Sequence, residues 1–139
     1  MEVSILNGAG QSDYLYGLVS GLATTNLKKI KSVYKYEKKC TSKLKKAANI
    51  LNFYFLQSKH LLATKPRIVH FQWLDRFFFT DRILLPVLAR LRGHKVILTV
   101  HNVNAGQRDK KDSFYNRFTL HILYNLSNHL IVHTIKSKE

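Results

Sequence analysis

Apolar positions recur along this chain in two alternating periods, one of strands and one of helices. Glu2–Leu6 (EVSIL) is a short apolar and β-branched run that predicts a strand, and Asn7-Gly8-Ala9-Gly10 directly after it predicts a glycine turn. Ser12 or Asp13 can cap a helix, and Tyr14, Leu15, Leu18, Val19 and Leu22 return at helical spacing, so a first helix is expected from about Ser12 to Ala23. Lys31–Tyr36 alternates weakly and reads as a second strand. From Thr41 onward, Leu44, Ala47, Ala48, Leu51, Phe55 and Leu62 trace one face while Lys43, Lys45 and Lys46 cover the other. This predicts a long amphipathic helix, its apolar stripe toward a core, ending before Pro66.

Arg67–Phe71 (RIVHF) reads as a compact strand, and Asp81–Leu91 as a helix that buries Ile83, Leu84, Val87, Leu88 and Leu91 and is closed by Gly93. Lys95–Val100 (KVILTV) is almost purely apolar, the composition of a parallel strand covered by helices on both faces. Phe114, Phe118, His121, Ile122 and Leu126 then recur at helical spacing until Asn128, and His129–His133 (HLIVH) reads as a last strand. Strands alternating with helices predict an α/β domain with a parallel sheet, and right-handed crossovers leave few ways to wind it. The polar stretch Asn104–Asp112 is expected to be a mobile loop.

Size and composition narrow the class. With 139 residues of which 45% are hydrophobic, residues 1–139 form one domain whose core needs neither disulfides nor metals. Cys40 stands alone, which rules out a disulfide framework or a thiolate metal cluster and fits a reducing cytoplasm. No apolar run is long enough to span a bilayer, and the amino terminus lacks the pattern of a secretory signal. The formal charge of +15 points to a negative partner: phosphate esters, anionic lipid headgroups or nucleic acid.

In an open α/β sheet, ligands bind beyond the carboxyl ends of the strands, so the informative residues follow Leu6, Phe71, Val100 and His133. The Gly8-Ala9-Gly10 turn lets backbone amides approach an anion at a helix start; a plain tight turn is the equal alternative. A nicotinamide or flavin cofactor is disfavoured. Asp13 stands where the dinucleotide fingerprint wants its third glycine, and Asn26-Leu27-Lys28-Lys29 stands where the ribose-binding acid belongs. There is no G-x-x-x-x-G-K-[ST] loop, no G-x-S-x-G elbow and no close histidine spacing for a metal, so no metal site is expected; His70, His129 and His133 read as strand residues. Gln72-Trp73-Leu74-Asp75-Arg76 and Phe77-Phe78-Phe79 form a polar and aromatic cluster at the ligand edge. There Trp73 either stacks on a sugar ring or packs in the core. His101-Asn102-Val103-Asn104 directly after KVILTV is hard to justify by packing alone, which favours a functional His101 over the alternative of a merely satisfied histidine.

The ordered segments NGAGQSDYLYGLVSGL, KPRIVHFQWLDR, KVILTVHNVN and HLIVHT resemble the amino-terminal domain of family-four retaining glycosyltransferases, over nearly the whole chain. The resemblance implies one half of a GT-B architecture, in which two Rossmann-like domains face each other across a cleft and this half binds the acceptor. It implies that Gly8, Ala9 and Gly10 approach the diphosphate of a nucleotide-sugar donor and that His101 lines the reacting centre. It places Asp13, Trp73, Asp75 and Asn102 around the acceptor pocket. Such enzymes transfer a hexose with retention to lipid-linked or polysaccharide acceptors, with the nucleotide sugar as substrate, no further cofactor and no metal.

The carboxyl, donor-binding domain has no counterpart in these residues. The chain is therefore expected to be a fragment that is inactive in isolation. A cytoplasmic protein peripheral to the inner membrane face is expected, because Lys28, Lys29, Lys31, Lys35, Lys38, Lys39, Lys43, Lys45 and Lys46 cluster around the second strand and the long helix. Each such cation contributes roughly 1 kcal/mol toward anionic lipid. The alternatives are a solvated lysine face, a noncatalytic α/β partner module, or a nucleic-acid-binding module. Nucleic acid is not expected, since the aromatics fall mostly at core spacing rather than among lysines on an open groove.

Overall fold

Five short runs of β-branched and apolar residues pair side by side: β1 (Glu2–Asn7), β2 (Lys29–Val33), β3 (Ile68–Gln72), β4 (Lys95–Val100) and β5 (His129–Val132). Every pairing is parallel, in the order β2-β1-β3-β4-β5, so the winding direction reverses between β1 and β3. The structure, a computed structural model, describes residues 2–7, 13–25, 29–33, 42–65, 67–72, 77–100 and 113–132, with backbone alone at 13–14 and 29–33. The helices are α1 (Asp13–Ala23), α2 (Lys43–Ala63), α3 (Leu85–Leu91) and α4 (Phe114–Leu126), with a π-turn, Thr80–Leu84, leading into α3. This is the α/β class the alternation predicts, a doubly wound Rossmann-like sheet with helices on both faces. The second strand begins two residues earlier than its pattern suggests, and positions 34–36 lie outside the described residues, as does the 104–112 stretch.

Because side chains alternate along a strand, each strand feeds two cores. Leu6, Val69, Phe71, Val96 and Leu98 meet Leu61 of α2, Leu85 and Ala89 of α3, and Leu123 of α4. Val3 and Ile5 meet Leu15 of α1, with Leu18, Val19, Leu22 and Ile68 around them. Gly93 ends α3 as expected: at φ 75° its N–H donates to Arg90 O and that of His94 to Ala89 O, both at 2.9 Å. His94 is then buried with both ring nitrogens in use. Nδ1 accepts from the Arg67 N–H at 3.1 Å and Nε2 donates to Leu61 O at 2.9 Å, tying α2, β3 and α3 together.

Three helices turn a different face inward from the one their apolar spacing predicts, and in each a buried polar contact accounts for it. On α2 the stripe Leu44, Leu51, Phe55 and Leu62 is exposed, and Phe53, Gln57 and Leu61 are buried. Residues 50–56 read ILNFYFL, apolar around most of the circumference, so hydrophobicity alone does not choose the rotation. The His60 Nε2 contact with Ser4 Oγ at 3.0 Å and the His94 bond to Leu61 O fix it. Before α3, Asp81 and Arg82 point inward, and Leu85 and Ala89 follow four and eight residues after Asp81; Leu84 and Leu91, expected in the core, are exposed. On α4, Asn116, Thr119 and Leu123 are buried, while Phe114, Phe118 and His121 face solvent. The Arg82 guanidinium selects that face. Its Nη1 donates to Asn116 Oδ1 at 2.7 Å, Thr119 Oγ1 at 3.1 Å and Asn116 O at 3.3 Å, and its Cζ lies 3.9 Å from the Phe78 ring centroid. A charge buried this deeply is tolerable only with such bonds.

Candidate functional site

The winding direction reverses between β1 and β3, and the carboxyl edge at such a reversal is the general ligand position of doubly wound sheets. Asn7 and Gln72, the last residues of these strands, are register partners there. The strand alternation that sends Val3, Ile5 and Ile68 toward α1 sends Asn7, His70, Gln72 and Thr99 to the same side. His70 Nε2 and Thr99 Oγ1 are 2.6 Å apart and buried. Gln72 has no accessible surface, and among the described residues neither its Oε1 nor its Nε2 has a hydrogen-bond partner. An amide buried in this way costs about 1–3 kcal/mol, and such orphans mark sites kept for something other than stability. Its two ends offer one acceptor and two donors to the hydroxyls of a polar ligand.

Around the same edge stands a ledge of exposed aromatics. Phe77 and Phe79 precede the π-turn, and Phe114, Tyr115 and Phe118 open α4. Phe78 stacks on Tyr115 with ring centroids 6.3 Å apart, and Phe114 on Phe118 at 6.1 Å. Asp81 Oδ2 accepts the Phe77 N–H at 2.9 Å, which anchors the ledge at the π-turn, a helix irregularity that recurs at functional sites. Ser113 caps α4 by accepting from the Asn116 N–H at 3.2 Å.

No protein-family model, curated protein or solved structure matches this chain.

Of the residues singled out from sequence, Asp13 opens α1, with backbone alone described. Gly8, Ala9, Gly10, Trp73, Asp75, His101 and Asn102 lie outside the described residues, directly after β1, β3 and β4. His70 and His129 are strand residues as expected, and His133 is outside the described set. Among the described residues no group of three or more His, Cys, Asp or Glu gathers as metal ligands. Asn7, His70, Thr99 and the α4 aromatics Phe114, Tyr115 and Phe118 were not assigned to the site from sequence, whereas Phe77–Phe79 were already placed at the ligand edge. A signal for the first three exists: each is a polar residue standing beside apolar neighbours within or at the end of a strand.

Proposed function

We propose that this chain is the acceptor-side half of a two-domain retaining glycosyltransferase of the GT-B kind. It would transfer a hexose from a nucleotide sugar to a lipid-linked or polysaccharide acceptor without a metal. The observation that carries this is the orphaned Gln72 amide beside Asn7 at the β1–β3 switch point, a buried polar group positioned for a hydroxyl-rich ligand. The resemblance adds the roles: Gly8, Ala9 and Gly10 at the donor diphosphate, His101 at the reacting centre, and Asp13, Trp73, Asp75 and Asn102 around the acceptor. A second domain would take the larger share of donor binding, so the 139-residue chain by itself is expected to show no transfer. The lysine-rich side, with the +15 charge, suits an anionic membrane carrying the acceptor.

Calorimetric titration with uridine- and guanosine-diphosphate hexoses, repeated on Gln72→Leu, tests the reading. Weak binding that the substitution lowers about tenfold is expected, the equivalent of one good hydrogen bond. No binding to either protein, with Gln72→Leu merely more stable, would remove its ground.

One observation favours a second reading. Phe114 and Phe118 stand exposed rather than in the core, so stacking faces are available to single-stranded nucleic acid on a basic protein. Salt-dependent binding of an oligonucleotide that Phe114→Ala abolishes would promote that reading; binding indifferent to Phe114→Ala would dismiss it.

A further inference from the structure

The outward face of α2 follows a regular pattern, and among the described residues nothing covers it. Positions 44, 48, 51, 55, 58 and 62 are spaced alternately four and three residues apart and hold Leu, Ala, Leu, Phe, Ser and Leu. At 3.6 residues per turn they fall on one strip, centred about 140° from the buried row of Phe53, Gln57 and Leu61. Leu44 is 83% exposed, Leu51 71% and Phe55 64%. Toward the carboxyl end the strip opens into an apolar hollow of about 520 Å³ lined by Phe55, Ser58, Lys59, Leu62 and Ala63.

Charge decides the occupant. Lys43, Lys45, Lys46 and Lys59 lie on the same helix, which contains no acid, and from Lys38 to Leu74 the chain has no Asp or Glu at all. Two copies pairing through α2 would set lysine clusters against each other with nothing to offset them, whichever way the helices ran. No helix among the described residues is long and apolar enough to cross a membrane, and four lysines exclude α2 from a bilayer core. An apolar strip flanked by lysines matches a bilayer interface, where the strip meets acyl chains and the ammonium groups meet phosphates.

We propose that α2 lies in the plane of an anionic lipid bilayer and inserts Leu44, Leu51, Phe55 and Leu62 below the headgroups. Such docking deepens the membrane-peripheral part of the function proposed above and is independent of glycosyl transfer. A negative nucleotide-sugar titration leaves the vesicle result standing, and the reverse holds equally.

The test is sedimentation of the full chain with vesicles of phosphatidylcholine alone and of phosphatidylcholine mixed with phosphatidylglycerol. Binding to the mixed vesicles only is expected. Leu51→Ser combined with Phe55→Ser should weaken it about tenfold or more while leaving circular dichroism unchanged, since both side chains are exposed. Phe55→Trp should add a fluorescence component, absent from the parent, that shifts to the blue on the mixed vesicles and is quenched by brominated lipid. Equal binding of the double variant would overturn the proposal in favour of charge attraction alone. So would a concentration-dependent dimer that the double variant dissolves, without vesicle binding, since the face would then belong to a second copy. Equal binding to neutral vesicles would overturn its anionic part.

Discussion

The two faces of β1, β3 and β4 are built differently although the same strands carry both. Toward α2, α3 and α4 they present Leu6, Val69, Phe71, Val96 and Leu98, with Ser4 buried among them and satisfied by His60 of α2. Toward α1 they begin apolar, with Val3, Ile5 and Ile68, and finish polar, with Asn7, His70, Gln72 and Thr99, all four buried. The change falls at the carboxyl ends of the strands, where ligands of doubly wound sheets sit. One face holds the fold together; the end of the other accepts a stability cost that packing does not call for, which is the usual mark of a site shaped by binding.

The sharpest way to break that contrast is to hollow out the apolar face. Phe71→Ala, at the middle of the larger core, is expected to cost about 3–5 kcal/mol, a large share of the roughly 5–15 kcal/mol that holds a domain folded. Urea denaturation measures it. A loss near 1 kcal/mol would mean that this face is not the main core.

On the polar face the His70–Thr99 pair sets the next effect. Thr99→Val keeps the shape and removes the hydroxyl 2.6 Å from His70 Nε2, so a buried ring nitrogen loses a partner at a cost of about 1–3 kcal/mol. A double-mutant cycle with His70→Leu should show that the two losses are not additive. Additive losses would mean that the hydroxyl and the ring act separately.

How far the sequence foretold this molecule depends on which force sets each element. Strand positions, the Gly93 cap and the helix spans follow from local rules of period, branching and φ, and KVILTV and RIVHF read as strands without any knowledge of their neighbours. Helix rotation does not. Leu44 and Phe114 sit at positions that would be core on spacing alone, and they face out because His60 and Arg82 reach inward to partners distant in sequence. A local pattern carries no information about a hydrogen bond across 34 or 56 residues, so those faces were not legible. The site was half legible: the strand ends pointed to the ligand edge, but the isolation of the Gln72 amide emerges only once β1 lies beside β3.

Gln72→Leu sharpens the comparison at its most exposed point. Replacing an orphaned amide with an apolar side chain of comparable volume removes a desolvation penalty, so a gain of about 1 kcal/mol is expected, read as a raised urea midpoint with unchanged slope. A loss of similar size would mean that the amide has a structural partner, and the switch point would lose its claim to be a site.

The smallest expected effect separates the two rows of α2. Leu51 is 71% exposed and Phe53, two residues on, is 7% exposed, so their side chains report on opposite environments of one helix. Leu51→Ser gives up no core contact and changes helix propensity only slightly, so its effect on the unfolding free energy measured in urea should stay within about 0.5 kcal/mol. A buried leucine would behave otherwise, because shortening it leaves a cavity worth about 2 kcal/mol or more. A loss of that size would put the leucine and phenylalanine stripe back into a core, as its spacing alone implies, and α2 would have no apolar face to offer a membrane.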